Sequence, residues 1–185
     1  VYELLIEDNF DTRKAILHTG IDNLDLIPAN VDLAGAEIEL VQLEGREKRL
    51  KKAIDKIRDD YDFIFVDCPP SLGLLTINSL TAVESVLIPI QCEFYALEGV
   101  SQLVSTIDLV KKNLNQNLEI EGVVLSMFDG RTNLSIQVVQ EVRFRALKSE
   151  DKFPIEALKQ HGHIEQVFQT LEDAREMEDR LRRIL

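Results

Sequence analysis

The sequence has little cysteine and no long apolar run, and each shortage excludes a class of protein. Its 185 residues contain two cysteines, Cys68 and Cys92, which are too few for a disulfide framework. No apolar stretch reaches the roughly 20 residues that a membrane-spanning helix needs, and no signal peptide is visible at the start. Three histidines, with no Cys or His pairs at ligand spacing, argue against a structural zinc site. A cytoplasmic setting fits these shortages.

Glycine-rich nucleotide motifs are also missing, and basic residues are in deficit. No Gly-x-Gly-x-x-Gly sequence opens a predicted βα unit, so a Rossmann dehydrogenase is set aside. Neither Gly-Lys-Thr nor Gly-Lys-Ser occurs, so the chain shows no phosphate-binding loop. The net charge of −12 repels polyanions on average. Binding to nucleic acid would therefore have to come from a local basic patch.

The stretch DFIFVDCPPSLG, residues 62–73, carries the first positive signal. Four apolar residues, 63–66, run without polar alternation, which is typical of a strand buried on both faces of a parallel sheet. Asp67 would end that strand, at the sheet edge where α/β proteins bind ligands. Pro69 and Pro70 then turn the chain out of the sheet. A carboxylate in this position suits a hydrated Mg²⁺ beside nucleotide phosphates, although many strands end in a capping Asp.

Apolar periodicity along the rest of the chain predicts alternating strands and helices. A short amphipathic helical region is expected over 1–20, and helix formers fill 33–59. A buried strand is expected at 24–27, and further strands at 63–66, 85–90 and 120–128. Helices are expected at about 72–81, at about 97–114 and from 134 onward. Alternation of this kind indicates an α/β fold, a parallel sheet with helices on both faces.

The last part of the chain has a different pattern. From about Ile155 the apolar residues recur at three- and four-residue steps between charges, which predicts an amphipathic helix with no accompanying strand. That helix could pack on the sheet or pair with a partner. The chain is therefore divided into a domain over residues 1–145 and a mainly helical segment over 146–185.

Four long motifs in order resemble one protein family. They are LIPANVDLAGAEIEL, DFIFVDCPPSLGLLTINSL, PIQCEFYALEGVSQL and EIEGVVLSMFDGRTNLSIQVVQEV, and they resemble the ParA/Soj partitioning ATPases of chromosomes and plasmids, which are related to MinD. The resemblance is dense from Val1 to about Arg143. It implies a deviant P-loop ATPase whose two subunits enclose two ATP molecules. It also implies that the ATP-bound dimer binds DNA non-specifically on the nucleoid and hydrolyses ATP when a ParB-type partner stimulates it.

The resemblance also assigns roles to single positions. Asp67 matches the Walker B aspartate, which holds Mg²⁺ through water, and Pro69 and Pro70 match the switch that follows it. Glu93 matches a carboxylate that reaches the nucleotide ribose. The loop Ser126, Met127 and Phe128 matches the region beside the adenine.

Arg131 matches a residue that contacts DNA, a task that suits arginine because its guanidinium grips phosphate oxygens in pairs. Simpler roles remain open for two of these positions. Glu93 could cap the helix that follows it, and Arg131 could be a solvated turn residue.

The sequence departs from the family at both ends. The glycine-rich loop of the family precedes the region where this chain begins, so a truncated chain is expected, without the first strand, the P-loop and the first helix. Beyond EVRF, residues 141–144, the Pro-Arg-Asn loop of the family is replaced by an unrelated sequence.

Two hypotheses of different classes remain. One is a partition ATPase in its full-length form, using ATP and Mg²⁺, and the other is a non-catalytic ParA-like fragment that acts only in association.

Overall fold

The computed structural model describes residues 1–69, 71–92, 96–129, 131–148, 155–159 and 164–166. These residues form two compact units. The first contains Val1–Glu84 and Thr106–Leu118, and the second contains Ser85–Ser105 and Glu119–Leu185. No helix within the described ranges combines the length and the apolar character needed to cross a bilayer.

Short helices dominate the first unit. They are α1 (Tyr2–Ile6), α2 (Leu33–Leu40), α3 (Arg49–Ile54) and α4 (Leu74–Ala82). The helical pattern of 33–59 is divided, because α2 ends at Leu40 and the next helical turn, the 3-10 helix Arg46–Lys48, begins after Gly45, whose φ of 62° is a left-handed conformation that glycine adopts readily. The helix expected at about 72–81 is confirmed as α4.

Apolar side chains from these helices form the core of the first unit. Helix α1 packs against α2 and α3, and α3 packs against α4. Leu5 and Leu40 are almost fully buried. Burying a leucine side chain contributes about 1.5–3 kcal/mol.

A small β-hairpin lies on the surface of the first unit. Strand β1 (Leu17–His18) pairs antiparallel with β2 (Asp25–Leu26). The expected strand at 24–27 therefore exists in part, but the expectation that it is buried is wrong, since Leu24 and Leu26 are about half exposed. Its only partner among the described residues is β1, and a two-stranded ribbon leaves its faces to solvent.

The second unit is built on a four-stranded sheet. Strand β3 (Ser85–Gln91) pairs in parallel with β4 (Glu119–Phe128), and β4 pairs in parallel with β5 (Ile155–Lys159). Helix α5 (Ala96–Asn113) lies in the chain between β3 and β4, and α6 (Asn133–Lys148) lies between β4 and β5. These four elements confirm the strands predicted at 85–90 and 120–128 and the helices predicted at about 97–114 and from 134 onward. Val123 and Leu125 of β4 are buried, as a central strand requires.

The C-terminal prediction is wrong where the structure describes it. Ile155–Lys159 and Ile164–Gln166 are strands β5 and β6, an antiparallel pair added to the edge of β4. The open edge of β4 offers backbone partners, and a chain that returns after α6 can continue the parallel sheet by the usual crossover. The remainder of the expected helix, and the boundary at residue 146 as a domain division, lie outside what the described residues test.

The strand expected over residues 63–66 does not form. This segment has no strand pairing, and Phe63 and Phe65 are 62% and 69% exposed. Their rings stack with centroids 6.3 Å apart, so alternate residues share one side as they would in a strand. An apolar run becomes a strand only beside a partner that accepts its backbone hydrogen bonds, and no described residue supplies one.

Candidate functional site

The carboxylate of Asp67 is exposed to solvent. Among the described residues it has no hydrogen bond or ion pair, so its oxygens are available to a ligand. No group of three or more potential metal ligands occurs in the described part of the chain. Asp67 could therefore supply one oxygen ligand to Mg²⁺, a cation that commonly takes one or two protein carboxylates and completes its shell with water and phosphate.

The chain that leaves Asp67 is fixed to helix α4. The Thr76 hydroxyl, almost fully buried, donates to the carbonyl of Ser71 at 2.5 Å and lies 3.5 Å from the carbonyl of Pro69. Pro69 is exposed, and Pro70 lies outside the described residues. Thr76 therefore anchors the end of the segment that follows Pro69, the first proline of the proposed switch.

A second contact restrains the start of α4. The side chain of Glu37, on α2, covers Gly73 so closely that a Cβ added at residue 73 would lie 1.7 Å from Glu37 Oε1. Sequence reasoning did not find this contact. A glycine before a helix was its only signal, and that signal does not identify the partner.

Asn78 is another residue that sequence reasoning missed. Its side chain is fully buried in α4. The amide nitrogen donates to the carbonyls of Arg46 and Leu74 at 2.7 and 3.0 Å, and the amide oxygen accepts from the Leu50 N–H at 3.1 Å. A single amide in the apolar sequence LLTINSL was the available signal, because buried polar groups need partners. Asn78 joins α4 to the start of α3.

In the second unit, the carboxyl ends of β3 and β4 lie side by side. Gln91 is in register with Ser126, the Cys92 N–H donates to the Ser126 carbonyl at 3.1 Å, and the Ser126 hydroxyl donates to the Ile90 carbonyl at 3.3 Å. Burial raises the pKa of the Cys92 thiol, which favours its protonated form. Glu93, the next residue, lies outside the described residues.

Met127 marks an irregularity at the end of β4. Its φ is 54°, in the left-handed region that a non-glycine residue seldom adopts. The register with β5 shifts between Leu125 and Phe128, which indicates a bulge in β4. Bulges and strained backbone often lie beside functional sites, and this one exposes about half of the Met127 side chain.

Arg131 stands in the turn between β4 and α6. Its side chain is 89% exposed, and its guanidinium makes two hydrogen bonds of 2.9 Å to the carboxylate of Asp129. The pair with Asp129 raises the pKa of Arg131. Arg143, Arg145 and Lys148 follow on α6, and their side chains lie outside the described residues.

Two cavities in the first unit lie away from Asp67. One, of about 270 Å³, is lined by residues that include Phe10, Lys14 and Asn30. The other, of about 40 Å³, lies beside Arg49 and Lys52. Asp67 lines neither of them.

The fold is of the α/β class, because parallel strands alternate with helices, and its likeness to solved ATPase structures makes it P-loop NTPase-like. The profile of the AAA_31 family, described as AAA domain, matches residues 1–120. The chain belongs to this family, and within it the chain is related to the ParA/Soj partitioning ATPases, as the resemblance of its motifs predicted.

Individual relatives agree with this assignment. The chain is 59% identical over 143 residues to the sporulation initiation inhibitor protein Soj of Bacillus subtilis, covering 77% of this chain and 56% of the relative. It is 54% identical over 144 residues to the chromosome partitioning protein ParA of Myxococcus xanthus, covering 77% and 50%. The chain thus spans about half the length of the curated relatives it matches.

A solved structure extends the likeness to three dimensions. Cobyrinic acid a,c-diamide synthase from Mycobacterium smegmatis, solved with an ATP analogue and magnesium, is 42% identical, with a TM-score of 0.71 over 78% of this chain and 58% of that chain. The α/β fold predicted from the sequence is confirmed by this likeness and by the parallel sheet.

Proposed function

We propose that this chain is part of a ParA-type ATPase that segregates chromosomes or plasmids. The observation that carries the proposal is the 59% identity to Soj over 143 residues, which is 77% of this chain. The protein would act in the cytoplasm, associated with the nucleoid. Its partners would be a second copy of itself, a ParB-type protein and DNA of any sequence.

ATP and Mg²⁺ are the proposed cofactors, and the described residues fit part of that role. Mg²⁺ would neutralise charge on the phosphates that transfer during hydrolysis. Asp67 fits as a magnesium-side ligand, acting through water, because its carboxylate is exposed and has no described partner. Pro69 and Pro70, with Thr76 holding the carbonyls of Pro69 and Ser71, would fix the direction in which the chain leaves that carboxylate.

The end of β4 would bind the base of the nucleotide. Ser126, Met127 and Phe128 form a bulged strand end, and the half-exposed Met127 side chain offers apolar surface to an adenine ring. Glu93 would hydrogen-bond the ribose, since it follows Cys92, whose backbone N–H is hydrogen-bonded to the Ser126 carbonyl at this strand end. Arg131 would contact DNA phosphates from the turn after β4.

The alternative, a fragment that only associates with other subunits, is not favoured by the relatives, which include Soj and ParA. It differs from the main proposal in one measurable respect. An association module would never hydrolyse ATP, even when a phosphate-binding loop is supplied.

An ATPase assay tests the main proposal. The 185-residue chain should hydrolyse ATP no faster than buffer, because the sequence has no Gly-Lys-Thr or Gly-Lys-Ser to hold the phosphates. A fusion that places a Soj-type P-loop segment ahead of Val1 should hydrolyse ATP, and Asp67→Ala should abolish that activity. Asp62→Ala is the matched control, since it removes another exposed carboxylate five positions earlier.

Three results would contradict the proposal. Turnover by the unfused chain that Asp67→Ala abolishes would mean that unrecognised residues hold the phosphates. An inactive fusion that binds a ParB-type partner would favour the association module. Equal activity of Asp67→Ala and Asp62→Ala would remove Asp67 from the magnesium site.

DNA binding is tested with the same fusion. Labelled duplex DNA of random sequence should bind more tightly when ATP is present, and Arg131→Glu should weaken that binding. At physiological salt the unfused chain should bind negligibly, because a few basic residues give weak, salt-sensitive affinity. Binding that is equal with and without ATP, or unaffected by Arg131→Glu, would remove the DNA role of this turn.

A further inference from the structure

The guanidinium of Arg131 is already engaged by a carboxylate. Nε and Nη2 donate to the two carboxylate oxygens of Asp129, each at 2.9 Å, and the Arg131 backbone N–H donates to Oδ1 at 3.0 Å. This is the paired geometry that arginine also uses to hold a phosphate. A phosphate that approaches the same edge of the guanidinium must therefore displace Asp129.

Asp129 itself is fixed by the turn. Its carbonyl accepts from the Thr132 N–H at 3.0 Å and lies 3.0 Å from the Thr132 hydroxyl. Its N–H donates to the hydroxyl of Ser135 at 3.4 Å, and Ser135 is almost fully buried in the first turn of α6. The backbone that carries the carboxylate is thus held at both its N–H and its carbonyl, so Asp129 stays within reach of Arg131.

The pair changes the electrostatics of the turn. Arg131 brings one positive charge and Asp129 one negative charge, so together they offer almost no net charge to a polyanion. The arginine side chain is 89% exposed and the aspartate side chain 25% exposed, and solvent-exposed pairs of this kind are worth about 0.2–1 kcal/mol. Asp129 therefore weakens phosphate binding without preventing it.

We propose that Asp129 is a built-in competitor that lowers the affinity of Arg131 for DNA phosphates. The inference rests on the proposed DNA role of Arg131 and adds a residue that tunes it. Displacing a pair worth about 0.2–1 kcal/mol corresponds to a change of up to about fivefold in the dissociation constant. Asp129 keeps binding at this turn weak and readily reversible.

The test compares charge variants of the 185-residue chain on a fluorescent random-sequence duplex, at about 20 mM salt, where weak phosphate binding is strongest. Asp129→Asn removes the charge but keeps an oxygen that can accept the Arg131 N–H. It should tighten binding by about two- to fivefold. Glu119→Gln is the matched control, since it removes one exposed negative charge at the other end of β4 and should have a much smaller effect. Asp129→Ser serves as a second variant if the first is poorly folded.

A salt titration adds a readout that a purely structural role would not change. When Arg131 is free to neutralise a phosphate, the log–log slope should steepen by up to about 0.9. The double variant with Asp129→Asn and Arg131→Gln should show neither the gain in affinity nor the steeper slope.

The outcomes separate this inference from the proposed function. A gain with Asp129→Asn that requires Arg131 supports it. Binding that depends on Arg131 but is equal or weaker in Asp129→Asn than in Glu119→Gln overturns the competitor role and leaves the DNA role standing. Equal affinity of Arg131→Gln and the unsubstituted chain, or no binding by any variant at this low salt, overturns the inference, because Arg131 then contributes no affinity that Asp129 could lower. The proposed function is tested separately, by the ATP-dependent binding of the fusion.

Discussion

Two segments of this protein share one sequence pattern and adopt different structures. FIFVD, ending at Asp67, and VVLSMFD, ending at Asp129, are both apolar runs that lead into a carboxylate. The second is the carboxyl half of β4, paired with β3 on one side and β5 on the other. The first forms no strand, and its phenylalanines are exposed.

The difference shows that an apolar run specifies a strand only together with its neighbours. In β4 the backbone groups of Val123, Val124 and Leu125 lie opposite residues of both adjacent strands. The run at 63–66 has equal or greater β propensity but no described partner. Both carboxylates nevertheless stand at the start of a turn that a following helix fixes, through Thr76 in one case and Ser135 in the other.

The largest expected effect comes from truncating one side chain in each segment. Substituting alanine for Leu125, which is fully buried in β4, should lower the free energy of unfolding by about 2–5 kcal/mol, because the change leaves a cavity. Phe65→Ala should change it by about 0.5 kcal/mol or less, as is usual at exposed positions. Urea unfolding followed by circular dichroism measures both. If Phe65→Ala costs as much as Leu125→Ala, the FIFV run is packed and the contrast between the segments disappears.

A comparable effect tests whether α4 is held in place without a strand at 63–66. Asn78→Leu should destabilise the first unit, since the Arg46 carbonyl and the Leu50 N–H lose their partner and each buried group left unpaired costs about 1–3 kcal/mol. Asn113→Ala is the control, because that exposed asparagine makes a similar bond to the Leu109 carbonyl within its own helix. Equal unfolding midpoints in urea for the two variants would mean that Asn78 does not anchor α4.

Local pattern was sufficient to predict helices α4, α5 and α6 and strands β3 and β4. The periodicity of 97–114 and the apolar run of 120–128 gave α5 and β4, because each signal is local and long. The strand at 63–66 and the helix from Ile155 failed because their outcome depends on which other strands are present. Ile155–Lys159 finds the open edge of β4, whereas 63–66 finds no described partner.

The candidate site shows the same limit. Asp67, Ser126 and Arg131 could be selected from the sequence because motifs mark them. The partners that control them could not, since the pairing of Asp129 with Arg131 and the cover of Gly73 by Glu37 depend on turns and distant contacts.

The β1–β2 hairpin provides a prediction about pH, because side chains rather than a long ladder hold it. Asp25 accepts hydrogen bonds from the Tyr61 hydroxyl and from His18, each at 2.7 Å, and these bonds lower the pKa of Asp25, Tyr61 most and then His18. Because the pKa of Asp25 is lower in the folded state, the ionised carboxylate stabilises the fold at pH values above the unfolded pKa of about 3.9. That stabilisation is lost as the pH falls through the lower pKa of the folded state.

The matching measurement compares the unsubstituted chain with Asp25→Asn in urea at several pH values. The variant should be slightly less stable at pH 7, and the difference should shrink as the pH falls below about 4. Asp22→Asn, an exposed change in the same hairpin, is the control. A difference that grows on acidification would reverse the sign and mean that the carboxylate is not stabilised by its partners.

The smallest effect is expected at Gly73, where the Asp67 segment enters α4. The φ of Gly73 is −84°, which alanine adopts without strain, and the group that its Cβ would meet is the flexible end of Glu37. A displaced side chain costs about 0.5–1.5 kcal/mol, while replacing glycine gains about 0.4–1 kcal/mol through the unfolded chain. Gly73→Ala should therefore leave the urea midpoint almost unchanged. In a background of Glu37→Ala the same substitution should raise the midpoint, because the obstacle is gone and the gain remains. A large loss of stability in both backgrounds would show that backbone around residue 73, rather than the Glu37 side chain, limits the space there, and that the exit from Asp67 is as rigid as the turn after β4.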